Sequence, residues 1–237
     1  MDLTVIEDVT LVPGGGRPVL AGARVVLDAD GVVQEITSTG VPGQRFLVPA
    51  AVDLHLDNMA QRRRPRATVV LDQADVLAVL DAECAAAGIG VVCLAARCED
   101  APGKGIHIAE AVELARVLEQ MAPSFACDWR LHVRVEITDA GAIDALREVL
   151  AASSRVAIIS MMEHSADRSR FATAEENRAF YAADWGVSPE EVDRLMAATA
   201  DGAAHREERR AAIAALAHEA GVLLASHDDA TPQDVEA

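Results

Sequence analysis

"RLHVRVE", Arg130–Glu136, is the stretch on which the fold turns. Apolar residues stand at Leu131, Val133 and Val135, and polar ones at Arg130, His132, Arg134 and Glu136. Strict alternation marks a β-strand with two unlike faces, one for a core and one for something that needs charge. The flanks read differently. Upstream, "IHIAEAVELARVLEQM" (Ile106–Met121) has helical apolar spacing. Downstream, "DAGAIDALREVLAAS" (Asp139–Ser153) does too, with Asp139 placed as an N-cap. Helix, strand, helix is the local unit.

The unit repeats in both directions. "QADVLAVLDAECAAAG" predicts an amphipathic helix ending at Gly88, and "IGVVCLAA" a buried strand. "RVAIISMM" is another strand, and residues 173–220 read as two helices parted at "GVSPEE", with Ser188 capping the second. "GVLLAS" is the last strand, and "TVVL" a further candidate. Strands separated by helices lie parallel, so the expected class is α/β. The N-terminal part has another texture. "LTVIEDVTLV" is broken by "PGGG", and "GARVVLDADGVVQEI" pairs two apolar runs across Asp30-Gly31, a hairpin signal. "RFLVPAAVDLHLD" follows as an expected buried run interrupted by Pro49. The boundary falls near residue 46, giving segments 1–45 and 46–237.

Composition narrows the function. The chain has 237 residues, 51% hydrophobic but only 3% aromatic, so its core is aliphatic. A formal net charge of -17 favours solubility and repels nucleic acid and anionic membrane surfaces. No apolar stretch is long enough to span a bilayer, and "MDLTVIEDVT" is acidic where a secretory signal is basic. Cys84, Cys93, Cys98 and Cys127 show no CxxC spacing and read as reduced, mostly buried thiols. A cytoplasmic location is expected.

Polar residues gather where the strands end: His55 and Asp57, then Glu136, His164 and His227. α/β folds build their sites at that end. His55-Leu56-Asp57 places two donors on one side of an extended backbone, where both reach one metal ion. Taken alone, the pair also reads as a solvated loop. Glu136 either bridges two cations or pairs with an arginine. A single strand-end histidine is more often a hydrogen-bonded structural residue. Four strand ends that each supply a donor favour a metal site.

The order HxD, Glu, His, His along β/α units resembles the amidohydrolase superfamily, whose metal centre lies in a (β/α)8 barrel beside a small β-sandwich. "DLHLDNM", Pro65-Arg66, "RLHVRVE", "ISMMEHSADRSRF", "FYAADWGVSPEEVDRLM" and above all "SHDDAT" (Ser226–Thr231) resemble the phosphonate-metabolism diphosphatases of the carbon–phosphorus lyase pathway. This resemblance implies a hydrolase that releases pyrophosphate from α-D-ribose 1-methylphosphonate 5-triphosphate. It implies two divalent ions, zinc before manganese or iron. His55 and Asp57 become the first ligand pair, Glu136 the bridging carboxylate, and His164 and His227 the ligands of the second ion. Asp228 orients His227 or ligates directly, with a catalytic role. Arg66, Arg134, Arg168 and Arg170 become candidates for the substrate's phosphate oxygens. Residues 1–45 match half of the sandwich, and 46–237 a partial barrel.

Some positions depart from the family. Glu163 stands where it has Asp, Ala166-Asp167 where it has Pro-Gly, and Arg168-Ser169-Arg170 where it has Gln-Arg-Gln. "CLAARCED" lacks the usual loop. About five barrel strands are counted where a closed barrel needs eight, and the family's final aspartate, its general base, has no counterpart. The chain is therefore expected to be a fragment of a longer protein, or to be completed by a second copy in a homo-oligomer. Two rival functions remain: a hydrolase or deaminase acting on a C–N bond, and a truncated relative without activity.

Overall fold

A computed structural model describes residues 3–66, 68–100, 106–163, 173–227 and 229, with backbone alone for 198–201. The chain divides into two compact units, residues 1–51 and 52–237. In the first, β1 (Thr4–Leu11), β2 (Leu20–Leu27), β3 (Val33–Ser38) and β4 (Arg45–Leu47) form one sheet in the order β3-β2-β1-β4. The β2–β3 hairpin turns where expected. Gly31 takes a φ of 78°, and Asp28 Oδ1 accepts from the Asp30 and Val32 amides at 3.0 and 2.9 Å. Val9, Leu11, Ala23 and Val25 make this unit's core. The division falls after Ala51, and β4 pairs in parallel with β1 within the first unit.

The second unit is built on a five-stranded sheet in the order β5-β6-β7-β8-β9: Ala51–Leu56, Ile89–Cys98, Asp128–Glu136, Val156–Met162 and Leu223–Ser226. The β6–β7, β7–β8 and β8–β9 pairings are parallel. Helices α1 (Met59–Arg63), α2 (Gln73–Ala86), α3 (Ile108–Met121), α4 (Ala142–Ala152), α5 (Ala174–Trp185), α6 (Pro189–Ala203) and α7 (Arg206–Ala220) lie between the strands in sequence. Strand β7 is central, and its alternation sorts the two faces. Trp129, Leu131, Val133 and Val135 are fully buried, packed with Leu77 and Leu80 of α2, Leu118 of α3, Leu146 of α4 and Ile213 of α7. The even-numbered residues face the other way.

The structure corrects four local expectations. "RFLVPAAVDLHLD" is not buried: Phe46, Val48, Val52 and Leu54 are all more than half exposed. β4 and β5 are edge strands of their sheets, so each has a neighbour on one side only. The region from 173 holds three helices rather than two, since the chain breaks again at Ala204-His205 between α6 and α7. Ser188 does cap α6, accepting from the Glu191 amide at 3.2 Å. Asp139 is not the N-cap of α4; it stands two residues before the cap, Gly141, and accepts that residue's amide at 2.8 Å. "TVVL" forms no strand, only a bridge between Arg66 and Val69.

All four cysteines are free and buried. Burial pushes each thiol pKa up, Cys98 to about 12 and Cys127 to about 11. No described helix is long and apolar enough to cross a membrane.

One buried carboxylate ties α2 to β7. Asp81 accepts from the Ala126 amide at 2.8 Å, the Cys127 amide at 3.0 Å and Trp129 Nε1 at 2.8 Å. Burial works against its charge, but the bonds from Ala126, Trp129 and Cys127 prevail and hold its pKa below the ordinary 3.8. A group depressed in this way stabilises the fold above its unfolded pKa, and that stability is lost as pH falls through the lower folded value. Asp81→Ala is expected to cost about 2–4 kcal/mol in urea unfolding at neutral pH. The gap from the wild type should narrow as pH drops below 3.8.

Candidate functional site

Parallel register aligns residues of neighbouring strands on the face away from the helices. Ala95, His132, Ile158 and Leu223 form one row across the sheet, and Arg97, Arg134, Ser160 and Ala225 the next. Glu136 ends β7, while Asp57 and His227 directly follow β5 and β9. Those two strands are opposite edges, four strand spacings apart, which is roughly 19 Å in a flat sheet. Yet the rings of His55 and His227 lie 5.1 Å apart, centroid to centroid. The sheet therefore curls, and its concave side gathers side chains from both edges over β7.

His132 is locked at the bottom of this hollow. Its Nδ1 lies 2.9 Å from the Leu54 carbonyl oxygen, and its Nε2 lies 2.8 Å from Ser160 Oγ. A carbonyl only accepts, so Nδ1 carries the proton and Nε2 takes the serine's. His55 Nδ1 approaches within 3.2 Å of His132 Nδ1. Burial first, with the neighbouring His55 and Arg134 adding to it, lowers the His132 pKa below 6.5, against the pull of the Leu54 carbonyl and Asp57.

Arg134 sits one step closer to the strand ends and is almost fully buried. Its Nη1 donates to Asp57 Oδ2 at 2.7 Å and its Nη2 to His227 Nε2 at 2.9 Å. A guanidinium has only donors, so His227 Nε2 presents its lone pair to the arginine. His55 Nε2 stands 3.8 Å from the same Asp57 oxygen. One cation thus bridges acceptors carried by the two edges of the sheet. Two further buried carboxylates on this rim have arginines: Glu99 pairs with Arg97, and Glu163 with Arg206 of α7 at 3.0 Å. Glu136 Oε1 accepts from the Thr138 amide at 3.1 Å and from Thr138 Oγ1 at 2.6 Å. Ser226 Oγ donates to Asp229, closing the turn that carries His227.

Of the residues singled out in the sequence, His55, Asp57, Arg134 and His227 come together. Glu136 lies buried at the end of the same central strand. Arg66 is exposed in its bridge to Val69. His164, Arg168, Arg170 and Asp228 lie outside the described residues. Four side chains of the site carried no functional expectation: His132, Ser160, Arg97 and Arg206. Ser160 and Arg97 follow from register with Arg134, which one strand read alone does not give. Arg206 was hidden in a charged helix, where it resembles a solvated residue.

Among the described residues no group of three or more His, Cys, Asp or Glu donors is arranged to hold a metal ion. The donor chemistry nonetheless suits one. Imidazole nitrogens and a carboxylate converge, and a positive charge, the Arg134 guanidinium, already lies between two of them. A cavity of about 50 Å³ opens beside Asp57, lined also by Met59, Arg63, Arg97, His107 and Glu110. That is room for a few water molecules, far below the several hundred Å³ of a usual ligand pocket.

Comparison with known proteins bears on this arrangement. No protein-family model matches the chain. It is 28% identical over 189 residues to the α-D-ribose 1-methylphosphonate 5-triphosphate diphosphatase of Escherichia coli strain K12, covering 78% of this chain and 50% of that protein. The resemblance read in the sequence holds. The chain spans about half the length of that curated relative. A solved guanine deaminase from C. acetobutylicum, with guanine bound in its active site, aligns over 78% of this chain and 52% of its own at 12% identity and a TM-score of 0.37.

The hydrogen bonds fix one tautomer of His132, and its lowered pKa keeps it neutral. Long-range ¹H–¹⁵N spectra should show His132 as the Nδ1-protonated neutral form at pH 7, titrating below 6.5. A midpoint above that value would contradict the geometry.

Proposed function

We propose that this chain carries part of the active site of a metal-dependent hydrolase that cleaves a phosphoanhydride and releases pyrophosphate. The reading rests on one observation: His55, Asp57 and His227, donors from opposite sheet edges, converge in a chain 28% identical to a diphosphatase of phosphonate metabolism. The substrate class follows that relative, a ribose 1-methylphosphonate 5-triphosphate. On this reading the strands belong to a (β/α)8-type barrel, of which the described residues form five.

His55 and Asp57 would hold one divalent ion, His227 and His164 a second, and Glu136 would lie between them. Bound there, such ions lower the pKa of a water and draw charge from a phosphoryl oxygen. The chain's own residues do the rest. Arg134 and Arg97, adjacent in register, offer planar donor pairs to phosphate oxygens. Ser160 and the Leu54 carbonyl pin His132, which packs edge-on against His55 and fixes that ring. Ser226 and Asp229 are joined by a hydrogen bond on either side of His227 and Asp228, and the proposed role of Asp228 is to orient the His227 imidazole. Basic groups on the concave face favour an anionic substrate over a neutral ring, and so favour P–O over C–N cleavage.

Purified protein should contain zinc, manganese or iron by elemental analysis. With the triphosphate it should release pyrophosphate, and with guanine or cyclic amides it should release no ammonia. Asp57→Asn should lower both metal content and pyrophosphate release, the latter by about 10²-fold or more. Metal-free protein that releases no pyrophosphate would overturn the proposal.

A further inference from the structure

We infer that the Arg134 guanidinium is a built-in placeholder for the metal: it occupies the lone pairs of Asp57 and His227 that a divalent ion would use, so loading requires its displacement. This deepens the metal-dependent reading above and rests on it.

The geometry carries the argument. Arg134 Nη1 lies 2.7 Å from Asp57 Oδ2, and Nη2 lies 2.9 Å from His227 Nε2. A hydrogen-bond donor and a metal ion both need those lone pairs, and an atom directed at one cannot serve the other in the same direction. The two are therefore alternative occupants. The arginine has reason to stay when no ion is present. It is buried on the central strand, where an unpaired charge is costly, and Asp57 supplies the countercharge.

The exchange has a second consequence. A guanidinium evicted from Asp57 and His227 can turn the donors that engaged them to a new partner, on the face where a phosphate would lie. The ion thereby releases the group that recognises the anion. Order of binding follows: metal first, anion second. A planar fork can bridge a carboxylate and an imidazole at once, whereas a lysine ammonium on its longer, thinner stem is a point charge that fits one partner well.

The apparent affinity for an ion is reduced by the fraction of protein in which the arginine is unseated. Calorimetric titration of the full chain with zinc(II), and separately with manganese(II), measures this directly. Arg134→Met keeps the volume and removes the competitor, and should bind zinc about 10-fold more tightly or better than the wild type. Its metal-free form should melt at a lower temperature, and zinc should raise that temperature by more than in the wild type. Arg134→Lys, which retains the charge, should fall between the two in affinity; it carries the comparison if circular dichroism shows Arg134→Met unfolded. Equal or weaker zinc binding by both variants would overturn the placeholder and leave the metal-dependent reading standing. Absence of binding by the wild type and both variants would overturn the two together.

Discussion

A charge buried on the concave side of a parallel sheet must find its partners there, and this requirement shapes the whole rim. Alternation along β7 sends its apolar residues into the helices, which leaves His132, Arg134 and Glu136 no other direction. Arg134 cannot stay unpaired in that position. Its partners come from the two strands furthest away in the sheet, and they reach it only because the sheet curls. The same bonds therefore help to hold the edges in toward the centre. Curvature and charge pairing are one arrangement seen in two ways.

The rim is also closer to electrical balance than the protein around it. The chain carries a net charge of -17, but the carboxylates of Asp57, Glu99 and Glu163, each just beyond a strand end, each meet an arginine. An approaching anion finds positive groups already engaged by carboxylates.

The sequence made the layers of the second unit legible because they depend on local pattern. Leu131, Val133 and Val135 alternate with polar residues, and "SHDDAT" marks a strand end by its abrupt change of character. The edges were less legible. The run from Phe46 to Leu54 is as apolar as a core strand, and hydropathy does not tell whether a neighbour exists to cover it. The break at Ala204-His205 was hidden because neither residue opposes a helix; Gly202, whose added Cβ would meet the Thr138 backbone, lies just before it. Arg97 and Ser160 needed register, which is a property of paired strands and not of either one. For Arg134 the family resemblance implied contact with phosphate, while its bonds to Asp57 and His227 depend on a curl that no single stretch encodes.

The buried thiols carry a practical meaning beyond packing. Alkylating reagents attack thiolate, and here all four sulfurs are both shielded and kept protonated, Cys98 and Cys127 most strongly. Three lie in α2, β6 and the loop entering β7, around the framework that positions the hollow, and the fourth closes β6 itself. Modification by such a reagent accordingly tracks opening of that framework, one exposure event at a time, and turns the native cysteines into a chemical clock for its breathing.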